Sequence, residues 1–322
     1  MNLEEKIELI SRNTVEVVEP AEMKELLEKG KKPSAYCGYE PSGEIHLGHL
    51  VTVTKLIDLE KAGIKVKVLF ADWHAWLNRK GSWDEIGEIV KVWKKGFTKL
   101  GLQNPEFVLG TDFQRSDKYI DDLLKLSIGT TVNRGMRSMQ EVARDIDHAS
   151  VSQIIYPLMQ INDIKHLGVD IAQSGIEQRK IHMLAREILG KVEYKKPILV
   201  HTPLIPSLTS AGKMSSSVPD SIISVRDSPE DIKKKLNKAK CPEGELEENP
   251  VLDIAKLVVF PRTDSLEIKR DEKYGGSLRF DNFAELEKAF VKKELHPADL
   301  KGAVAEGLAE ILSPVRKLFR IC

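Results

Sequence analysis

The sequence predicts an α/β chain: a doubly wound parallel sheet with helices on both faces, followed by a smaller, mostly helical C-terminal module. Three observations carry this. Short β-rich runs alternate with longer segments of helical periodicity over the first two hundred or so residues, the pattern of a parallel sheet with crossover helices. At 322 residues the chain exceeds the usual single-domain size, so two domains are expected. After Ser217 the composition changes to a heavily charged stretch over 228–248, then to helical patterns, which places a boundary near residue 220.

In chain order, residues 3–30 show apolar positions at helical spacing (Leu3, Ile7, Ile10, then Met23, Leu26, Leu27) and stop at Lys29-Gly30, a helical lead-in. Ser34–Tyr39 reads as a strand, closed by the turn residues Pro41-Ser42-Gly43, and a helix runs from about Leu47 to Leu59. Val66–Phe70 alternates and then turns apolar, as a strand entering a core does. The cycle repeats with a helix over 85–100, a strand over 106–109, helical segments over 117–145 and 150–164, a short apolar stretch around 169–172, a helix over 176–189 and a strand over 197–201. Beyond the boundary, 250–259 reads as a short helix, and the rest is helical except 266–269 and 277–280.

Composition limits the function classes. Lys plus Arg and Asp plus Glu each number 49, so a globally basic, nucleic-acid-coating protein is excluded while a local basic patch is not. The three cysteines, Cys37, Cys241 and Cys322, are odd in number and far apart, which fits neither a disulfide framework nor a cysteine-based zinc knuckle. A polar N-terminus and the lack of any apolar run near the roughly 18 residues of a membrane helix predict neither a leader nor a spanning segment, so a cytoplasmic location and no membrane partner are expected.

Two short motifs carry chemistry. His46-Leu47-Gly48-His49 sits where a strand and turn lead into a helix. Gly48 removes a side chain, letting adenine and ribose lie against the backbone, and the first-turn N–H groups favour anionic oxygens. Histidines three apart share one helical face, so both imidazoles can donate to phosphate oxygens as charge develops. A pair of surface or metal-binding histidines is the other reading, although no further His or Cys stands at zinc-ligand spacing. Lys213 lies in the small, polar segment Thr209–Ser217, with Gly212 for flexibility and Pro219 as a stop. Such a loop can bring a lysine onto β- and γ-phosphates, with Ser215, Ser216 and backbone N–H groups completing the contacts; a polar linker with one lysine is the plainer reading of the loop taken alone.

Taken together, the motifs resemble the two signatures of the class I aminoacyl-tRNA synthetases, a HIGH-type motif at His46–His49 and a KMSKS-type loop at Lys213-Met214-Ser215-Ser216-Ser217. The loop departs from the family where Ser216 replaces a second lysine, which leaves Lys213 as its main cation. Within the class the whole chain most resembles the tyrosyl enzymes of the archaeal and eukaryotic type. The resemblance implies a Rossmann-like catalytic domain over 1–220, holding the lead-in, the acceptor-stem and dimerisation helices and the loop, and an anticodon-recognition domain over 221–322.

It also implies site roles. Tyr36 and Asp163 match the pair that grips the phenol oxygen of the substrate, and a hydroxyl that donates and accepts is complemented by a tyrosine hydroxyl plus a carboxylate. Such a pocket rejects phenylalanine by roughly 10⁴–10⁵-fold without editing. Tyr156, Gln160 and Gln178 match the positions that hold the α-amino group, His74 and Gln114 match pocket residues at strand ends, and Glu40 matches a position near the α-amino and adenylate region. ATP would contact His46, Gly48, His49 and Lys213 with Met214, Ser215 and Ser216. It enters as substrate with Mg²⁺, with no tightly bound protein metal. The ionised carboxylate of L-tyrosine attacks the α-phosphorus, so no side-chain nucleophile is needed, and the terminal ribose of tRNA(Tyr) then takes the tyrosyl group. Arg134, Arg137, Arg179 and Lys180 are candidates for the acceptor end, with Arg179 toward the first base pair. Tyr274, His296 and Asp299 match positions that stack on and bond the first anticodon base. Relatives act as homodimers, with 117–145 the candidate interface. The alternatives are a tryptophan-specific enzyme, against which Tyr36 and Asp163 argue, another HxGH nucleotidyltransferase, and a noncatalytic RNA-binding protein of the same fold.

Overall fold

The computed structural model describes residues 1–29, 32–142, 150–209 and 221–319. Helix α1 (Leu3–Ser11) starts at a reciprocal cap, in which the Asn2 side chain accepts from the Glu5 N–H and the Glu5 carboxylate accepts from the Asn2 N–H. Strand β1 (Glu16–Val18) and helix α2 (Pro20–Glu28) follow. The lead-in expected to be helical is therefore interrupted by a strand. Three residues are too few to show a period, and β1 is specified by its partner at the far end of the sheet rather than by local sequence.

The sheet continues with β2 (Ser34–Tyr39), β3 (Lys65–Phe70), β4 (Glu106–Leu109), β5 (Ile171–Gly175) and β6 (Ile198–Thr202). Its order is β1-β6-β5-β2-β3-β4, parallel throughout except for the antiparallel pairing of β1 with β6. Chain progression runs outward from β2 through β3 to β4, then restarts on the other side of β2 with β5. The switch point lies between β2 and β5, and ligands of doubly wound sheets collect beyond the carboxyl ends of the strands there. Glu40 follows β2 and Gln178 follows β5.

The helices are α3 (Leu47–Lys61), α4 (Asp72–Leu77), α5 (Trp83–Lys99), α6 (Asp117–Ile128), α7 (Val132–Ser138), α8 (Val151–His166) and α9 (Arg179–Ile188). The helical region expected over 117–145 breaks after Ile128, where Gly129 ends α6 and the Thr131 hydroxyl accepts from the Arg134 N–H to start α7. One apolar cluster joins Tyr36 of β2, Leu69 of β3 and Ala172 of β5 to Ile161 and Ile164 of α8 and Leu184 of α9. Burying each large aliphatic side chain contributes roughly 1.5–3 kcal/mol, so this cluster fixes the strand and helix that carry Tyr36 and Asp163.

Beyond residue 220 come α10 (Pro229–Lys238), α11 (Pro250–Ile254), a π-helical turn over Ala255–Val259, the antiparallel pair β7 (Leu266–Ile268) and β8 (Leu278–Phe280), α12 (Phe283–Val291) and α13 (Pro297–Arg316). Leu300, Val304, Leu308 and Leu312 form the buried stripe of α13 at four-residue spacing.

The chain forms two compact units. The first comprises Met1–Ser42, Lys55–Lys94 and Leu102–Pro203 and holds the whole six-stranded sheet. The second comprises Gly43–Thr54, Lys95–Gly101 and Leu204–Cys322. The segment at 43–54 joins the second unit through backbone bonds, the Leu47 N–H donating to Ile223 O at 2.9 Å and the Val225 N–H to Ile45 O at 3.0 Å. The boundary expected near residue 220 itself lies outside the described residues.

Candidate active site

Asp163 stands on the buried side of α8, 1% exposed. Its Oδ1 accepts from Gln114 Nε2 and from the Tyr119 hydroxyl, both at 2.8 Å, while Oδ2 has no hydrogen-bond partner among the described residues. An acceptor oxygen so placed is costly unless a ligand donates to it. Burial pushes the Asp163 carboxyl up to about 7, against the lowering effect of its two donors. Tyr36, buried on β2, is raised well above the ordinary phenol range by burial and then by the negative charge of Asp163, so its hydroxyl stays protonated.

His74 Nε2 lies 3.9 Å from Asp163 Oδ2, and its ring meets Tyr156 edge-on at 4.6 Å between centroids. Burial lowers His74 to about 4, so the contact involves a neutral imidazole and is not an ion pair. The Tyr156 hydroxyl and Asn78 Nδ2 each donate to Glu40 Oε1 at 2.6 Å. Gln160 Nε2 donates to Gln178 Oε1 at 3.2 Å, joining α8 to the turn that precedes α9. All eight residues expected around the amino acid, Tyr36, Glu40, His74, Gln114, Tyr156, Gln160, Asp163 and Gln178, lie in the first unit. The structure brings them together from β2 and the residue after it, from α4 at the end of β3, from the turns that follow β4 and β5, and from α8.

In the second unit, the Gly48 N–H donates to His46 Nδ1 and the His46 N–H to His49 Nδ1, each at 3.1 Å. Both Nδ1 atoms are therefore acceptors. Burial lowers His46 to about 4 and His49 well below its ordinary value, so each neutral ring carries its proton on Nε2. The rings sit 3.9 Å apart. A Cβ on Gly48 would come within 3.0 Å of the His46 ring, which explains glycine between the two histidines. Lys213, Met214, Ser215 and Ser216 lie outside the described residues.

The basic candidates already have acidic or polar partners. Arg179 Nε donates to Glu16 Oε1 at 2.6 Å, Lys180 Nζ to Gln140 Oε1 at 3.0 Å, and Arg137 Nε to the Asn133 carbonyl at 3.3 Å. Arg134 pairs with Glu187. In the C-terminal module, Tyr274 is 66% exposed. Arg270 Nε donates to Gly276 O at 3.0 Å while its Nη1 lies 4.0 Å from Asp299 Oδ2, so this arginine ties the Tyr274 loop to the start of α13. His296 caps that helix, its Nδ1 accepting from the Ala298 N–H at 3.1 Å.

Sequence reasoning missed several supporting residues. Tyr119 looks like one more apolar position of an amphipathic helix, and only the fold turns its hydroxyl onto Asp163. Asp72 precedes His74 in a stretch already singled out, yet its role is to accept from the Thr111 N–H at 3.0 Å and hydroxyl at 2.7 Å, fixing the turn that presents Gln114. Arg270 and Asn78 carried no motif at all.

Residues 28–313 match the family model described as tRNA synthetases class I (W and Y). The tyrosine–tRNA ligase of Archaeoglobus fulgidus is 50% identical over 98% of both chains, and that of Methanoculleus marisnigri 51% identical over 96% of both. Among solved structures, the A. fulgidus tyrosyl-tRNA synthetase complexed with L-tyrosine superposes with a TM-score of 0.95, covering 98% of this chain and 99% of that one at 51% identity. The Leishmania major tyrosyl-tRNA synthetase in complex with tyrosinol gives 0.92 at 28% identity, with all of this chain matching 50% of that one. From this agreement over nearly its full length, the chain belongs to the class I tRNA synthetases of the W and Y family, in the branch of the tyrosine–tRNA ligases.

Proposed function

We propose that the protein activates L-tyrosine with ATP, releasing pyrophosphate, and transfers the tyrosyl group from the adenylate to the 3′-terminal adenosine of tRNA(Tyr). The observation that carries this reading is the buried Asp163, with Oδ1 held by two donors and Oδ2 left as an acceptor near the protonated Tyr36. A substrate phenol donates to Oδ2 and accepts from the Tyr36 hydroxyl. An indole N–H satisfies only the first of these, and phenylalanine neither.

The substrate α-amino group is held by Tyr156, Gln160 and Gln178, with Glu40 supporting Tyr156. His46 and His49 present Nε2–H donors to the triphosphate, and Lys213 supplies positive charge to the β- and γ-phosphates. Mg²⁺ enters with ATP; no group of three or more His, Cys, Asp or Glu able to hold a metal occurs among the described residues. The activation step needs no protein base, because the attacking carboxylate is already ionised.

Arg134, Arg137, Arg179 and Lys180 engage the acceptor end of the tRNA, and Tyr274, His296 and Asp299 read the anticodon, dividing the chain functionally into 1–220 and 221–322. The working form is a homodimer. Ile120, Leu124 and Ile128 stand four residues apart on one face of α6 and are 42%, 57% and 89% exposed, and Val132 beside them is 61% exposed, an apolar stripe suited to a second copy. The enzyme works in the cytoplasm; no helix among the described residues is long and apolar enough to cross a membrane. Amino-acid-dependent ATP–pyrophosphate exchange with tyrosine, tryptophan and phenylalanine tests the reading. Exchange with tyrosine alone is expected, exchange with tryptophan overturns the pocket assignment, and no exchange by folded protein overturns the activity.

A further inference from the structure

A hydrogen-bonded chain outside the amino-acid pocket runs from a surface arginine into the sheet. Glu16 faces His201 directly in the β1–β6 ladder. Glu16 Oε1 receives both Arg179 Nε, at 2.6 Å, and His201 Nδ1, at 2.8 Å. His201 Nε2 lies 3.0 Å from His182 Nδ1, and Ser174 Oγ lies 3.4 Å beyond on β5. A carboxylate only accepts, so His201 carries its proton on Nδ1 and accepts at Nε2, and His182 donates to it from Nδ1. Both imidazoles are essentially fully buried, and burial keeps both below the ordinary histidine range. Burial also works against the charge of Glu16, yet hydrogen bonds from Arg179 and His201 hold its carboxyl below the usual range. The outer end differs: the Arg179 side chain is 46% exposed and follows the pocket residue Gln178.

We propose that Glu16 is the positioning residue of Arg179 in recognition of the tRNA acceptor end, and that the His201–His182 pair holds Glu16 for that task. A long arginine side chain samples many rotamers, and an anchor on Nε fixes the guanidinium plane while leaving both Nη groups for a forked contact with a base or phosphate. Two buried imidazoles are an expensive support for a surface ion pair whose only task is to dock a three-residue strand. The proposal rests on the reading of Arg179 as an acceptor-end contact, and its test separates the two.

Tyrosylation at varied tRNA concentration, alongside pyrophosphate exchange, is measured for Arg179→Ala, Glu16→Gln, Glu16→Asp, His201→Asn and the Glu16→Gln/Arg179→Ala double variant. Glu16→Gln is expected to raise KM for tRNA roughly tenfold, the scale of one charge-assisted hydrogen bond, with a several-fold smaller change in exchange. Glu16→Asp recovers part of the loss, His201→Asn shows a weaker version of it, and the double variant is no worse than Arg179→Ala alone. A normal tRNA KM for Glu16→Gln, a loss that adds in full to that of Arg179→Ala, or an equal fall in exchange overturns the proposal. If Arg179→Ala itself leaves tRNA KM unchanged, the Arg179 reading fails and the proposal with it. If Arg179→Ala weakens tRNA use and Glu16→Gln does not, the positioning role alone fails. Should Glu16→Gln not fold, the same comparison is read from His201→Asn.

Discussion

Tyr119 donates its hydroxyl to the Oδ1 of Asp163, the oxygen that Gln114 also engages. Two helices and a strand end thereby orient one carboxylate, and the orientation leaves Oδ2 as the acceptor of the proposed pocket. Tyr119→Phe removes one donor without emptying the site. Pyrophosphate exchange should show KM for tyrosine raised about tenfold with a smaller change in kcat, because a charge-assisted hydrogen bond is worth roughly 1.5–3 kcal/mol.

The protonation of Asp163 sets a pH dependence. Its carboxyl is raised from 3.8 to about 7 by burial, so between these values the folded protein binds a proton that the unfolded chain has released. This group therefore favours the folded state at the acid end of that window, and its contribution is lost as pH rises through about 7. Tyrosine binding runs the other way, because a phenol that donates to Oδ2 selects the ionised form. KM for tyrosine should rise toward about tenfold per pH unit below the titration point, and Asp163→Asn should remove the dependence along with the preference for tyrosine over phenylalanine.

The histidines of the front motif behave differently. Burial holds His46 at about 4 and His49 well below its usual range, so both stay neutral across the working pH. The kcat of tyrosine activation should show no inflection in the ordinary histidine range near 6.5. His46→Ala and Lys213→Ala should each lower that kcat by about 10²-fold or more while leaving tyrosine binding nearly intact, as loss of a transition-state donor does. Single-turnover adenylate formation with equilibrium tyrosine binding checks both.

Gly110 is the least conspicuous residue that should matter to the pocket. A Cβ there would overlap the side-chain oxygens of Gln114 and Asp72. Gly110→Ala should displace Gln114 from Asp163 and raise KM for tyrosine, with a thermal midpoint lowered by a few degrees in calorimetry.

The apolar stripe on α6 predicts an oligomeric state. Ile128→Glu places a charge where an isolated chain leaves the side chain 89% exposed, so the subunit should fold normally. Light scattering should report a monomer for this variant and a dimer for the parent. A parent that is monomeric at working concentration removes the homodimer from the proposal.

How much was legible in the sequence depended on how local each signal is. The strands β2, β3, β4 and β6 are legible as short runs between helical segments, whereas β5 shows only as an apolar stretch around 169–172. Tyr36 is legible on its strand and Gln114 after the next but one, while His74, expected to end a strand, sits on the short helix α4 that follows it. The strand at Glu16 is not legible, since its identity comes from His201 across the sheet. Nor could the segment around His46 be assigned to the second unit, because the backbone bonds to Ile223 and Val225 are long-range. The hydrogen-bond partners of Asp163 and Arg179, Tyr119 and Glu16, stand 44 and 163 residues away from them in the chain, beyond the reach of any spacing rule.

The short strand β1 also has a colloidal consequence. It lies along the outer edge of β6, whose N–H and C=O groups would otherwise form a template for adding foreign strands. Three residues with a glutamate at their head cover that edge and are too short to offer a long new one. A chain shortened past Val18 would present β6 bare, and its first symptom should be precipitation on concentration rather than slow catalysis.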